Sequence, residues 1–571
     1  MNQSYSGHAS PWRLFVPKMY TVLREGYRLG DLKSDVLAGL TVAIVALPLS
    51  MALAIASGAT PQQGLFTAIV GGFMISFFGG SRFQIGGPTG AFVVVVFNVI
   101  HQYGYGGLAQ ATVIAGIILI IFGLARLGAY IKYIPYPVVT GFTSGIAVII
   151  FSSQVKDLLG LRLADVPAEF IAKWDAFYHA AATAQAAPIA ISAGCLALIV
   201  ATRRYAPKLP AFLIAVIAGA LAVWVWGLNV ETIGSKFGAL PQTLPTPSWP
   251  TFTFARVREL LPTAFTIAFL AGIESLLSAV VADGMTGRRH RSNCELVAQG
   301  MANIGSVLFG GIPATGAIAR TATNIRSGGR TPVAGVAHAL FILLFVLFLS
   351  PLASYIPLAS LAAVLVVVAW NMSEFEHFKS LMKSPAGDRV VLITTFLLTV
   401  LVDLTVAIGV GVVLAAILFV HRMALAVEVE TKTKLLAEDV DDLSAPRLAP
   451  YQGPPDLPET IEVYQINGPF FFGAATLLSD VLDRLRHPPR VMIVRMGNVP
   501  MIDASGAAAL TAFIDKCRKQ NTIVLLSNLK TQPRRLIEKM CAKDIERGDV
   551  RLAENYADAR AQALAYVADG K

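Results

Sequence analysis

The chain has 571 residues, of which 55% are hydrophobic and only 14% charged, and its mean hydropathy is +0.62. A soluble chain of this length needs far more charge to cover its surface, so lipid must solvate most of it. The net charge of +10 does not mark a nucleic-acid binder, because the basic residues fall between apolar runs, the pattern of membrane topology.

In chain order, the first 35 residues carry Arg13, Lys18, Arg24, Arg28 and Lys33 with no apolar segment ahead of Val36. No cleavable signal peptide is therefore expected. The stretch from Trp12 to Tyr27 mixes aromatic and basic residues, which suits the headgroup layer. From 36 to 427 apolar runs dominate. Spans are predicted near 36–57, 62–79, 108–125, 138–158, 188–202, 209–228, 262–284, 293–310, 332–350, 356–371, 388–402 and 404–426, with two short runs at 89–101 and 317–326. At roughly 20 residues per crossing this makes about fourteen segments.

With the N-terminus inside, alternate loops hold Arg82; Arg126 and Lys132; Arg203, Arg204 and Lys208; Arg288, Arg289 and Arg291; Arg326 and Arg330; and Lys379, Lys383 and Arg389. That is the positive-inside pattern, and it places both termini in the cytoplasm.

A weak internal repeat is offset by about 225 residues, as in transporter folds. Thr41-Val-Ala-Ile-Val-Ala46 reads against Thr266-Ile-Ala-Phe-Leu-Ala271, and Ser50 against Ser275. Gly86-Gly87-Pro88-Thr89-Gly90-Ala91 reads against Gly310-Gly311-Ile312-Pro313-Ala314-Thr315-Gly316-Ala317. Each copy holds an odd number of spans, so the two copies have opposite orientations. The Gly-rich segments open the two short runs, and backbone freed at membrane depth must line a buried, wet cavity. Pro88 suits an early helix position, where its missing N–H is not needed. Two half-helices starting near the midplane would aim their N-terminal amides at one point and form an anion site. The alternative is that the glycines only permit close helix packing.

Glu274 lies near the centre of the 262–284 run, where a lone carboxyl must face a cavity and find partners. It is a candidate for proton coupling or for a cation ligand, against a structural tie between helices. Ser275 and Ser278 beside it are placed to bond substrate or water. Arg320, in the first turn of the second half-helix, would add a full positive charge to the anion site unless it extends outward with Arg326.

After a polar, Pro-rich linker (428–458), the residues from 459 to 571 read as soluble text. Strands are predicted at Glu459–Ile466, Arg490–Met496 and Thr522–Ser527, and helices at Ala474–His487, Ala504–Lys519 and Pro533–Lys543. Their alternation implies a parallel sheet. The cysteines 195, 294, 517 and 541 have neither metal-ligand nor disulfide-framework spacing, so unpaired thiols are expected. No metal cluster or catalytic constellation is legible, and an enzyme is not expected.

These motifs in combination resemble the SulP anion permeases, bacterial relatives of solute carrier family 26. The opening Asp35-Val-Leu-Ala-Gly-Leu-Thr-Val-Ala-Ile-Val-Ala-Leu-Pro48, Gly87-Pro88-Thr89, Ile273-Glu274-Ser275-Leu276-Leu277 and Ala319-Arg320-Thr321 are similar to family segments. The tail resembles a STAS domain, with Met501-Ile502-Asp503-Ala504-Ser505-Gly506 similar to its Asp-Ser-Ser-Gly loop.

The resemblance implies a 7+7 inverted repeat split into core and gate, a homodimer in the bacterial inner membrane, and elevator-like alternating access. It implies substrate binding at Thr89, Gly90, Ala317, Ile318, Ala319 and Arg320, coupling through Glu274 and Ser278, and Ser505 as a regulatory candidate in the tail. Sodium-coupled bicarbonate members carry aspartate and threonine where this chain has Glu274 and Ser278, which favours a proton over sodium as coupling ion. The segment from Glu274 to Gly287 and the run Ala369-Trp-Asn-Met-Ser-Glu374 resemble the dicarboxylic-acid branch. The expectation is proton-coupled uptake of a C4-dicarboxylate or sulfate, with no cofactor. The alternatives are sodium-coupled bicarbonate transport or a non-transporting anion sensor that signals to a partner bound by the tail.

Overall fold

The computed structural model describes residues 14–129, 135–163, 166–167, 169–207, 209–402, 404–425, 428–430, 457–458, 460–470 and 488–568. Contacts divide the chain into two units, Met1–Ala415 and Ala416–Lys571. In the first unit the apolar runs fold as helices, because only a helix satisfies a lone segment's backbone inside lipid.

The first half comprises α1 (Lys18–Glu25), α2 (Leu29–Ala56), and α3 (Pro61–Phe66) continuing through a π turn into α4 (Gly72–Phe78). Then come a two-residue strand β1 (Gly86–Gly87) and α5 (Val93–Leu124), followed by α6 (Tyr136–Leu159), α7 (Phe170–Ala180), α8 (Ala186–Tyr205), α9 (Ala211–Trp226) and α10 (Ile233–Phe237). The second half comprises α11 (Phe254–Thr286), α12 (Ser292–Leu308), the strand β2 (Thr315–Gly316), α13 (Ile318–Arg326), α14 (Val333–Ala353), α15 (Leu358–Met372), α16 (Phe375–Leu381), α17 (Ala386–Leu401) and α18 (Leu404–Leu425).

Seven helices among the described residues are long and apolar enough to cross a bilayer, and two shorter apolar ones accompany them. The first half-helix opens one of the seven, Gly90–Leu124, whereas the second, α13, is nine residues long. The runs 89–101 and 108–125 both lie largely within α5 and are parted at Gly104, whose φ of 68° and ψ of −179° leave the helical region, a conformation that glycine tolerates. Short helices α7, α10 and α16 occupy stretches read from the sequence as loops. The residues Trp12, Arg13, Lys132 and Lys208 lie outside the described residues, as does the helix expected at Ala474–His487.

The second unit carries a five-stranded sheet in the order β3 (Glu428–Glu430), β4 (Ile461–Asn467), β5 (Val491–Asn498), β6 (Ile523–Ser527) and β7 (Val550–Ala553). The last four strands are parallel, and β3 pairs antiparallel with β4. Both faces of the sheet are apolar. One packs Met492, Val494, Leu510 and Phe513 together, and the other packs Ile461, Ile493, Leu525 and Ala559. Two-sided burial is what helices on both faces of a parallel sheet require. The edge strand Glu428–Glu430 falls in the stretch read as linker; three residues are too few for alternation to register.

Candidate anion and coupling site

The matched Gly-rich segments of the two repeats meet. β1 pairs antiparallel with β2, Gly86 opposite Gly316 and Gly87 opposite Thr315, and the Ala317 N–H donates to the Ile85 carbonyl at 2.9 Å. Freed backbone at this depth is thus satisfied by the other repeat. Past each strand a helix starts. Thr89 is extended (φ −131°, ψ 162°) before a tight turn at Gly90–Phe92 that runs into α5. Ala317 is extended (φ −101°, ψ 114°) before α13. Pro88 therefore stands ahead of the cap residue Thr89 in extended backbone, not inside the first turn, and its carbonyl becomes an acceptor for Arg320.

Neither helix start is closed by its own cap side chain. The first-turn amides of the two segments, with their partial positive charge, are the feature that suits an anion. Ala317 and Thr89 are nearly buried, whereas Ile318 is 37% exposed and Ala319 is open as well. The second half-helix therefore presents its first turn to open space. Gly90 is covered: a methyl group there would stand 2.6 Å from Met372 Sδ and 3.2 Å from Ile150 Cδ1.

Thr89 spends its hydroxyl on Glu274, donating to Oε2 at 2.8 Å. This brings the intramembrane carboxyl on α11 directly to the start of the first half-helix, across 185 residues of sequence. The serines beside it have other duties. Thr315 Oγ1 donates to the Ala271 carbonyl at 3.0 Å, so in its 2.7 Å contact with Ser275 Oγ the serine must be the donor, a hydroxyl having one proton to give. Ser275 Oγ in turn accepts the Gly316 N–H at 3.0 Å. Ser278 Oγ donates to Thr321 Oγ1 at 3.1 Å, which also accepts the Ile85 N–H at 3.1 Å. Both serines rivet α11 to the strand pair and α13, so their hydroxyls meet protein partners where the sequence offered them to substrate or water.

Arg320 is 2% exposed. It does not reach outward with Arg326. Its Nη2 donates to the Pro88 carbonyl at 3.1 Å and to Ser50 Oγ at 3.2 Å, while Nε and Nη1 have no hydrogen-bond partner among the described residues. Gly87 lies against this guanidinium with φ +152°, and any side chain there would run into Nη1. Arg320 thus ties the second half-helix to the segment that opens the first, from behind.

A set of anchors went unread in the sequence. Thr67 Oγ1 accepts the Ile312 N–H at 2.7 Å. Asn303 holds both backbone groups of Ala314, at 3.0 and 2.7 Å. Asp35 Oδ1 accepts the N–H groups of Arg330 and Thr331, at 2.7 and 3.1 Å. Glu295 Oε2 accepts those of Gly80 and Ser81, at 2.8 and 3.2 Å. Thr67, Asn303 and Glu295 pin loops that enter the strand pair, and Asp35 pins the loop between α13 and α14. In the second unit Ser505 is exposed in the first turn of the helix Ala504–Lys519, where Asp503 Oδ1 caps the Gly506 N–H at 2.6 Å.

The sulfate permease family model matches residues 32–395, and the STAS domain model matches residues 455–559. The chain belongs to the sulfate permease family. It is a multi-pass membrane anion transporter with a C-terminal STAS domain, and not an enzyme. It is 41% identical over 517 residues to the "putative sulfate transporter YvdB" of Bacillus subtilis, covering 90% of this chain and 95% of that protein. It is 30% identical over 521 residues to the bicarbonate transporter BicA of Picosynechococcus sp., covering 89% and 91%. The transmembrane domain of a cyanobacterium bicarbonate transporter BicA superposes with a TM-score of 0.61 at 31% identity, covering 67% of this chain and 99% of that one. The murine solute carrier 26 family member A9 anion transporter in its inward-facing state gives 0.83 at 17% identity, covering 99% and 96%, a likeness of fold.

Proposed function

We propose that this permease is a secondary active symporter that takes up a C4-dicarboxylate or sulfate together with protons, by an elevator-type movement of the half-helix core against its gate. The observation that carries the reading is the Thr89–Glu274 hydrogen bond at the start of a half-helix. A bound dianion at the uncapped amides would lie near an ionised Glu274 carboxylate, and the two would repel. Protonation of the carboxyl removes that repulsion, so anion and proton favour one another at the site. Entry of a dianion against a membrane potential opposes about 2.3 kcal/mol per charge per 100 mV, and each accompanying proton offsets one such share. Thr89, Gly90, Ala317, Ile318 and Ala319 hold the anion in this reading, and Arg320 supplies fixed positive charge behind them. A homodimer in the inner membrane with both termini cytoplasmic, and regulation through Ser505, are proposed with it.

Purified full-length protein in liposomes tests the proposal with labelled sulfate, succinate and bicarbonate, under separate proton and sodium gradients. A pH gradient should drive uphill accumulation of one dianion, and Glu274→Gln should retain exchange but lose that accumulation. The amide oxygen can still accept the Thr89 hydroxyl, so the fold at the site is preserved. Uphill accumulation by Glu274→Gln refutes the coupling role.

The second reading is a bicarbonate carrier coupled to sodium, which the likeness to BicA favours. Sodium-dependent bicarbonate uptake, with no response to a proton gradient, would replace the first reading with this one. The absence of any uptake would favour an anion sensor.

A further inference from the structure

The run Ala369–Glu374 enters the site only where Met372 covers Gly90, at the start of the first half-helix. Helix α15 stops at Met372. The turn that follows is held in place: the Ser373 carbonyl accepts the Ser144 hydroxyl of α6 at 2.7 Å, the Ser373 N–H donates to Ala369 O at 2.9 Å, and Glu374 takes the left-handed conformation (φ 44°, ψ 41°) that bends the chain away into α16. Trp370 and Asn371 are exposed on the helix, while Met372 is turned inward. Its sulfur is the atom that a side chain on Gly90 would strike, at 2.6 Å, and its methyl would be in contact at 3.5 Å. The fully buried Ile150 of α6 stands beside it, 3.2 Å from the same point.

We infer that Met372 is a specificity-determining residue: its thioether side chain forms the wall of the anion site opposite the Gly90 amide and sets the length of anion the site accepts. The inference rests on the anion-transport reading of the half-helix ends. Amide ends recognise negative charge and carry little information about shape, so discrimination between a compact tetrahedral oxyanion and a four-carbon dicarboxylate must come from what bounds the space in front of them. Met372 is an unbranched side chain that fills irregular gaps and re-packs readily. Its backbone is held by the turn at Ser373 and its tip lies against Gly90. Gly90, lacking a side chain, leaves the sulfur in near contact with the backbone, so the separation between these two residues defines the room available.

The experiment uses full-length protein in liposomes and compares uptake of sulfate, succinate and glutarate by the parent, Met372→Ala and Met372→Leu. Removing the thioether should raise the kcat/KM ratio of the longer dicarboxylate to sulfate by about tenfold or more, the scale on which one or two methylene groups are discriminated in a pocket. Met372→Leu, of similar volume, should stay within about twofold of the parent, since volume-conserving swaps are tolerated. A second measurement needs no transport: Met372 oxidation to the sulfoxide by chloramine-T, followed by peptide mass spectrometry, should be slowed by saturating sulfate or succinate. If the parent moves none of the three anions while one of them still shields Met372, the transport reading fails and the inference stands on the shielding. An unshifted kcat/KM ratio in Met372→Ala, or an oxidation rate that neither sulfate nor succinate changes, overturns it.

Discussion

Replacing Ser275 with alanine deletes a single hydroxyl but undoes two bonds at the strand pair. The lost donor leaves Thr315 Oγ1 without its 2.7 Å partner, and the lost acceptor leaves the Gly316 N–H without its 3.0 Å one. Thr315 keeps its bond to the Ala271 carbonyl, so that oxygen suffers little. The Gly316 N–H is buried. Two ordinary hydrogen bonds are worth about 1 kcal/mol each, and an unmatched buried donor costs about 1–3 kcal/mol. The expected loss is therefore about 2–4 kcal/mol, or about 1 kcal/mol if bilayer values near 0.6 kcal/mol per bond apply. Either figure lowers the thermal midpoint by a few degrees. The effect on uptake should be larger, because β2 has two residues and carries the amide end that follows it. A displacement of about 1 Å at such a site costs on the order of 100-fold in rate. Detergent-solubilised protein followed by tryptophan fluorescence reads the midpoint, and liposome uptake reads the rate. Ser275→Thr keeps the hydroxyl and should recover most of both. A Ser275→Ala, Thr315→Val cycle should show a coupling of at least about 0.5 kcal/mol, as contacting residues do. Parental midpoint and parental uptake in Ser275→Ala would refute the claim that this serine rivets α11 to the strands.

Gly87→Ala places a methyl against the Arg320 guanidinium at φ +152°, so a loss of folded, monodisperse protein on size exclusion is expected; normal yield and elution would contradict the contact. Arg320→Lys keeps the charge, but the shorter side chain with its compact ammonium does not put a donor where Nη2 meets both Pro88 O and Ser50 Oγ. The expected outcome is an anion KM raised by about tenfold or more, read from initial uptake rates, and an unchanged KM would sink the tie. In the tail, burial pushes the Cys517 thiol up to about 12 and raises Cys541 as well. A raised thiol pKa means less thiolate at a given pH, so both should resist iodoacetamide at pH 8 in folded protein and react once it is denatured. Rapid labelling of folded protein would show that the core around them opens.

What the sequence made legible was the part of the fold that depends on spacing along one chain. The two matched Gly-rich segments, expected to converge because they recur, do meet, though through Gly86–Gly87 and Thr315–Gly316, a pairing the repeat alignment does not name, and their antiparallel register suits copies of opposite orientation. Glu274 was legible because a lone carboxyl in an apolar run must have company. Its partner was harder to read, since nothing in a linear pattern says that Thr89 lies across from it rather than capping its own helix. The serines show the same limit. Beside Glu274 they read as ligands for a substrate, whereas the Gly316 N–H takes Ser275, and Ser278 goes to Thr321, which itself serves the Ile85 N–H; backbone in lipid has the stronger need. The edge strand at Glu428–Glu430 escaped for another reason: three residues are too few for a period to show.

The arrangement around Arg320 and Glu274 bears on why the proposed anion site carries so little formal charge. A cation exposed in the cradle would hold a dianion tightly, and a carrier must release what it binds. Here the guanidinium is set behind the Pro88 carbonyl, and the groups offered in front are neutral amides with partial charges. Backbone donors bind less strongly than a bare arginine fork but are fixed in position, so they keep selectivity for negative charge without excessive depth. Glu274 then has leverage that it would lack beside a strong cation. It touches the site through one hydroxyl, that of Thr89, the residue whose backbone leads into the first half-helix. A change of one charge at that carboxyl is comparable to the whole of what the amides supply. By linkage, whatever the proton does to anion affinity the anion must do to proton affinity in equal measure. A replacement that put a second cation in front of the amides, such as Ala319→Arg, should therefore tighten anion binding and slow turnover together, while weakening the response of both to pH. Tighter binding with turnover unchanged would mean that release does not limit this carrier, and that the retreat of Arg320 behind Pro88 has a purely structural cause.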